Sequence, residues 1–428
     1  MPEKPVTASL NDPQSDSSPV LDLDVCVVGL GYVGLPTAAV LATRGRRVAG
    51  FDLRRDILDT INAGRIHIVE PELDALVRAA VLAGTLRAVP EPVPARNFLI
   101  CVPTPIASDH RPDLAAVEAA SRALVPVLRP GNLVVLESTV PPGTLRDLVA
   151  PILRQSGLVI GKDLFVAHAP ERVLPGAVLR EVVENERIVG GLTDACTDRC
   201  AEFYEGFVRA EVHRTSAEVA EFTKLAENAY RDVNVAYANE LANVSAHLGL
   251  DVWEVIRLAN RHPRVQILRP GPGVGGHCIA VDPWFIAATA PEHTPLIQAA
   301  RGVNDGRPER VLAQIRRLAG KLRAPAIAIL GLSYKPDIDD LRESPALHIA
   351  EAVHREQLGE VLLVEPHLHS SPIAGCPLVG LDDALARADI LVVLVAHRDF
   401  RRLRSADLLR VMVVDAVGLL AGADNKRV

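Results

Sequence analysis

The thiol of Cys278 stands in an unusual setting. It lies in the segment Pro270-Gly-Pro-Gly-Val-Gly-Gly-His-Cys278-Ile-Ala-Val-Asp282-Pro, which is glycine-rich and non-helical. Free cysteines are ordinarily inert core residues. Here the flanking glycines let the backbone crowd a ligand, and His277 and Asp282 supply polar neighbours, so the chemistry indicated is that of a nucleophilic thiol. Upstream, Lys224 and Asn228 are four residues apart in a helix-like stretch. Both would project from one helical face, which Arg231 extends. Without the cysteine segment, such a Lys and Arg would be read as solvent-facing groups of an amphipathic helix.

A second constellation lies near the N-terminus. The apolar strand LDVCVVG runs into Gly29-x-Gly31-x-x-Gly34, and a helix-like stretch follows at once. Glycines there permit a tight turn and close backbone approach, while the helix N-terminus offers free N–H groups and partial positive charge to a pyrophosphate. Asp52 follows Gly34 by eighteen residues, at the end of the next strand, where a carboxylate accepts hydrogen bonds from both ribose hydroxyls. The same carboxylate would repel a 2′-phosphate, which favours NAD over NADP, although the adjacent Arg54 and Arg55 pull the other way. Two further strand ends, Val102-Pro-Thr104-Pro and Glu137-Ser-Thr139-Val-Pro-Pro-Gly-Thr144, place hydroxyls where ligands bind in doubly wound sheets. The plainer reading of both is a strand-ending turn.

These groups need a scaffold. From Leu23 short β-rich runs alternate with helix-like ones, implying parallel strands with crossover helices. The alternation stops near Thr215, gives way to one long helix in 216–260, and resumes after the cysteine segment with AIAILGLSY, EVLLVEP, DILVVLVAH and VMVVDAVG. The expected fold is α/β: two Rossmann-like doubly wound domains joined by a long central helix. The expected divisions are a disordered tail, 1–21; a NAD-binding domain, 22–215; a central helical and dimerisation domain with the cysteine loop, 216–306; and a second Rossmann-like domain, 307–428. The helix's apolar face offers a surface for a homodimer.

Composition excludes other classes. A net charge of −7 with scattered Lys and Arg gives no basic face for nucleic acid. No apolar run is long enough for a membrane span, and the Pro/Ser/Asp-rich first residues lack a signal-peptide core. The six cysteines are not spaced like a disulfide framework, so reduced thiols in a cytoplasm are expected. Cys196 and Cys200 lack the second ligand pair of a zinc site, and no metal is expected.

Seven segments, GLGYVGLP, VPTP, ESTVPPGT, PERVLPG, KLAENAYRDVN, GPGVGGHCIAVDP and GLSYKPDIDDLRESP, occur in this order. In that order they resemble the UDP-glucose/GDP-mannose dehydrogenases from Leu23 to Val417. Within that family, RHPRVQILRPGPGVGGHCIAVDPWF and LAENAYRDVNVAYANE look most like the subgroup acting on UDP-N-acetyl-D-mannosamine, the alternatives being UDP-N-acetylglucosamine, UDP-glucose and GDP-mannose, which keep the chemistry and change the sugar. UDP-glucose enzymes typically carry a GFGGSCFPKD-like motif, and this chain has His277 in place of its Ser and no Lys before Asp282.

The resemblance implies a NAD-dependent oxidation of a UDP-sugar C6 hydroxyl to a carboxylate. Cys278 would hold the aldehyde as a thiohemiacetal, and hydride loss would give a thioester that water cleaves. It further implies that Lys224 and Asn228 stabilise oxyanions, that Glu171 is the base for the hydrolytic water, and that Asp282 orients water or Lys224. Gly29, Gly31, Tyr32, Val33, Gly34, Asp52, Thr104, Thr139 and Arg342 would contact NAD. Arg172, Val173, Lys224, Asn228, Arg231, His262, Arg264, Tyr334 and Lys335 would contact the UDP-sugar. A non-catalytic NAD-binding regulator would not need Cys278, Lys224, Asn228 and Asp282 together, and a β-hydroxyacid dehydrogenase would need no cysteine.

Overall fold

The computed structural model describes residues 23–421 apart from 69, 108, 174 and 175. The expected tail, 1–21, lies outside the described residues.

The first domain is built on an eight-stranded sheet. Its strands are β1 (Leu23–Val28), β2 (Val48–Phe51), β3 (Leu86–Val89), β4 (Ala95–Ile100), β5 (Asn132–Leu136), β6 (Leu164–His168), β7 (Arg187–Gly191) and β8 (Val212–Ser216). They lie in the order β3-β2-β1-β4-β5-β6-β7-β8. The central strands are apolar on both faces because helices cover both, as a parallel sheet requires. The chain reverses strand order between β1 and β4, and that switch point opens a crevice at the carboxyl ends.

One feature departs from the expected all-parallel pattern. β7 meets β6 antiparallel, overlapping only at Ala167↔Gly191 and His168↔Gly190, and β8 then pairs with β7 in parallel. Continuing that register puts the start of β7 level with the residues just after β6. Arg187 is thereby carried to the crevice end of the sheet, opposite Glu171.

The second domain has four parallel strands, β9 (Ala326–Leu330), β10 (Glu360–Val364), β11 (Ile390–Val393) and β12 (Met412–Asp415), in the order β10-β9-β11-β12. Both domains are Rossmann-like, and the helix Ala217–Leu248 joins them as expected. Ser216 caps its start by accepting from the Val219 N–H. Its 32 residues span about 48 Å. Leu225, Ala229, Ala236 and Ala242 are buried at helical spacing, and the helices Asp282–Thr289 and Pro295–Asp305 pack against it. The helix stops short of Asn260: Gly249 adopts φ +70, and Asp251 caps a separate short helix, Val252–Ala259. Among the described residues no helix is long and apolar enough to cross a membrane.

Candidate active site

The glycine turn after β1 is fixed by close approach. A Cβ on Gly29, whose φ is +90°, would stand 2.7 Å from the Cys101 carbonyl oxygen, and one on Gly34 would stand 1.9 Å from the Gly29 oxygen. Gly31 faces open space instead. The following helix, Gly34–Thr43, has no side-chain cap and no acidic residue in its first turn, so its N-terminal field is directed into the crevice without compensation. Asp52 accepts from the Leu30 N–H at 3.0 Å and the Arg54 N–H at 2.9 Å, which orients its carboxylate at the crevice rim. The Arg54 guanidinium turns away to Asp56. Thr104 and Thr139 are half-buried after β4 and β5, and their hydroxyls have no protein partner among the described residues. Ser138 ties the two loops together by donating to the Val102 carbonyl at 2.7 Å. An open cradle, an uncapped helix and unpartnered hydroxyls are what a dinucleotide pyrophosphate and ribose require.

Cys278 lies across from this crevice, at the junction of both domains. Its loop is glycine-rich because the second domain leaves no room for side chains. A Cβ on Gly275 would meet the Glu343 oxygen at 2.5 Å, and one on Gly276 would meet the Tyr334 ring at 2.8 Å. Tyr334 and Lys335 are thus held beside the cysteine. Arg342 reaches the first domain, its guanidinium 5.0 Å from the centre of the Tyr32 ring.

The helix Asp282–Thr289 begins one turn after the cysteine, with the Asp282 N–H donating to the Cys278 carbonyl at 2.8 Å. Asp282 is buried, and Asn228 donates to its carboxylate at 2.6 Å. Burial pushes the Asp282 carboxyl up to about 6, against the opposing pull of Lys224 and then Asn228. Burial likewise raises the Cys278 thiol, and the Lys224 ammonium is the chief influence holding it down. Lys224 makes no hydrogen bond or ion pair among the described residues, which leaves a cation free to meet an anion formed at Cys278. The expected group Cys278, Lys224, Asn228 and Asp282 is therefore assembled in one place.

His168, at the end of β6, belongs to the same neighbourhood and carries no sequence signal beyond its strand-end position. It is fully buried, its Nδ1 has no partner, and burial together with Lys224 pushes its pKa down to about 3. It is a neutral ring at any ordinary pH.

Glu171 stands at the same end of the sheet, and its carboxylate is fully partnered. Arg187 donates to it at 2.7 Å, and the Arg172 and Val173 N–H groups donate at 2.7 and 3.1 Å. Both partners of this ion pair are buried. Arg172 pairs with Glu227 at 2.8 Å and, with Arg231, Tyr230 and Leu268, lines a cleft of about 890 Å³ beside the long helix. His262 and Arg264 are not drawn to the cysteine. They sit exposed after the helix Val252–Ala259, with the Arg264 N–H donating to His262 Nδ1 at 3.3 Å. Among the described residues one set, Asp337, His367 and His397, has the donors and spacing of a metal site. The His397 Nδ1 lone pair already accepts from the Asp337 N–H at 2.9 Å.

The UDP-glucose/GDP-mannose dehydrogenase family matches the chain in three consecutive parts: its NAD binding domain over 23–208, its central domain over 218–306 and its UDP binding domain over 328–421. The chain belongs to this family. It is 53% identical over 411 residues to an NDP-N-acetyl-D-galactosaminuronic acid dehydrogenase of Ralstonia nicotianae, covering 93% of this chain and 97% of the relative. It is 48% identical over 413 residues to the UDP-N-acetyl-D-mannosamine dehydrogenase of Escherichia coli, covering 92% and 98%. The solved structure of a UDP-D-ManNAc dehydrogenase from Pyrococcus horikoshii superimposes with a TM-score of 0.85 at 36% identity, over 93% of this chain and 96% of that one. The protein is a NAD-dependent nucleotide-sugar dehydrogenase, as its ordered motifs implied.

Proposed function

We propose that the enzyme oxidises the C6 hydroxyl of UDP-N-acetyl-D-mannosamine to the carboxylate in two hydride transfers, with Cys278 carrying the substrate between them. The observation that carries this reading is the meeting of Cys278, Lys224, Asn228 and Asp282 at the mouth of the dinucleotide crevice. NAD supplies the hydride acceptor, one molecule per step. The first step removes a hydride from C6 and a proton from the hydroxyl. The Cys278 sulfur then adds to the aldehyde carbon, and the oxyanion so formed is met by Lys224 and Asn228. Loss of a second hydride leaves a thioester, and water cleaves it to the carboxylate and the free thiol.

Two carboxylates serve this sequence differently. Glu171 is fixed in place by the Arg187 guanidinium and two backbone amides, which suits it to holding the Arg172–Val173 turn against the substrate. Asp282, held near 6, exchanges a proton around neutrality and is suited to the hydrolytic water. Residues 22–215 bind NAD in this reading, 216–306 carry the reacting centre, and 307–428 receive the UDP. Tyr230, Tyr237 and Val244 are exposed at seven-residue intervals on the long helix, the spacing of a helix-pairing seam, and a second copy of the chain would cover them. The exposed His262 and Arg264 would then face the neighbour's substrate. With its reduced thiols the enzyme would work in the cytoplasm.

NADH formation with a panel of nucleotide sugars tests the assignment, the manno epimer being oxidised fastest at limiting substrate. A second reading, an N-acetylgalactosamine nucleotide, is favoured by the 53% identical Ralstonia relative. It replaces the first if that sugar wins.

A further inference from the structure

The second domain repeats the turn of the first, with one change. After β1, Gly29 has φ +90°, its N–H donates to the Phe51 carbonyl at 2.8 Å, and the Leu30 N–H donates to Asp52 at 3.0 Å. After β9, Gly331 has φ +89°, its N–H donates to the Val364 carbonyl at 2.9 Å, and the Leu332 N–H donates to Glu365 at 2.7 Å. Glu365 therefore occupies the position that Asp52 holds in the cofactor crevice. Asp52 is partly exposed there, with acceptor capacity left for a ribose. Glu365 is buried, and the Ser333 N–H, the His367 N–H and the His397 ring at 3.1 Å take up the rest of its capacity.

His397 makes the difference. Its side chain, just past β11, is wholly buried. Nε2 donates to Glu365, so Nδ1 is the acceptor, and it takes the Asp337 N–H at 2.9 Å. Asp337 needs an anchor, because its φ of +63° is a left-handed conformation that a non-glycine residue adopts reluctantly. The intervening chain is tied down at Ser333, whose hydroxyl donates to the Lys335 carbonyl at 2.9 Å. Tyr334 and Lys335 lie between these two anchors, with the Tyr334 ring against Gly276, two residues from Cys278.

We infer that His397 is a positioning residue for the reaction: joined to Glu365 and to the Asp337 amide, it holds the Ser333–Asp337 loop so that Tyr334 and Lys335 meet the nucleotide sugar beside Cys278. In the second domain the ribose-reading carboxylate has become a loop anchor. The inference rests on the proposed substrate role of Tyr334 and Lys335.

Two substitutions separate the two bonds. In His397→Asn the side-chain oxygen reaches the Nδ1 position and can still accept from Asp337, whereas in His397→Gln the amide reaches the Nε2 position and keeps only Glu365. The Gln variant is expected to raise KM for the nucleotide sugar about tenfold or more, the scale of a misplaced contact residue. Its NAD dissociation constant should stay within about twofold, since Asp52 and Gly29 are untouched. The Asn variant should recover most of the loss in KM. Wild-type KM in the Gln variant, or equal losses in both variants that follow their melting temperatures, would overturn the inference. If the wild-type enzyme oxidises no nucleotide sugar, the functional reading has failed instead.

Discussion

Replacing Asn228 by Ala removes the one hydrogen bond that, among the described residues, the Asp282 carboxylate receives from a side chain. Asp282 sits at about 6 because burial outweighs Lys224 and Asn228, and both of those lower it. A hydrogen bond to a charged group is worth about 1.5–3 kcal/mol, and 1.36 kcal/mol moves a pKa by one unit. The variant's carboxyl should therefore titrate about one to two units higher, at roughly 7 to 8. In the wild type an ionised Asp282 gives an acid limb in kcat/KM near pH 6, with about nine tenths of the carboxylate present at pH 7. In Asn228→Ala the ionised fraction at pH 7 falls to about a half or a tenth, and raising the pH restores it. The assay is initial NADH formation from pH 5 to 9 with both substrates limiting in turn. A lower plateau alone reports the lost oxyanion contact, whereas an upward-moving limb reports Asp282. A variant whose limb stays at the wild-type pH refutes the idea that Asp282 is the titrating base.

Cys278→Ala should make no uronic acid above background while binding NAD with wild-type affinity, as product analysis and cofactor titration would show; carboxylate formed at the normal rate would make Cys278 a structural thiol. Asp52→Asn should lessen the preference for NAD over NADP by about tenfold or more, since a carboxylate at the rim is what repels a 2′-phosphate and Arg54 is engaged with Asp56. Equal kcat/KM for both cofactors in the wild type would refute that account. Tyr237→Asp on the exposed seam should yield a monomer in analytical ultracentrifugation with intact NAD binding; an unchanged dimer would place the subunit contact elsewhere.

How far the sequence disclosed this molecule varied with the kind of residue. Strands β1, β2, β4 and β5 each carry a run of apolar residues and are legible because a sheet covered on both faces needs them. β8, with the sequence Val-His-Arg-Thr-Ser, has only its first residue buried, so its polar composition hid it. The reversal at β7 had no local signal at all, being set by how 169–186 travels between two strands. The glycine turn, Asp52 and the cysteine loop were legible because chemistry restricts residue types there. His168 was not, because a buried histidine reads like any core residue until Lys224 and an unpartnered Nδ1 appear beside it in space. Glu171 was located but its partner was not, since Arg187 lies sixteen residues away across the antiparallel pair.

The position of Asp282 argues that its site is kept for function rather than stability. A carboxyl moved from 3.8 to about 6 on folding binds its proton more tightly in the native state. The sign follows: native stability from this group is greatest below the unfolded value and declines as pH rises from about 4 to 6, costing roughly 3 kcal/mol once Asp282 is ionised. Asp282→Asn has no such decline. Its stability relative to the wild type should therefore grow with pH, by about 2 kcal/mol between pH 4.5 and 8, whatever constant offset the change from a neutral carboxyl to an amide adds. Urea denaturation of both proteins across that range measures the change, and the same variant should lose the hydrolytic step. A gap that stays constant with pH would mean that the carboxyl titrates in the native protein as it does unfolded, and the proton it is assigned in thioester cleavage would have to come and go elsewhere.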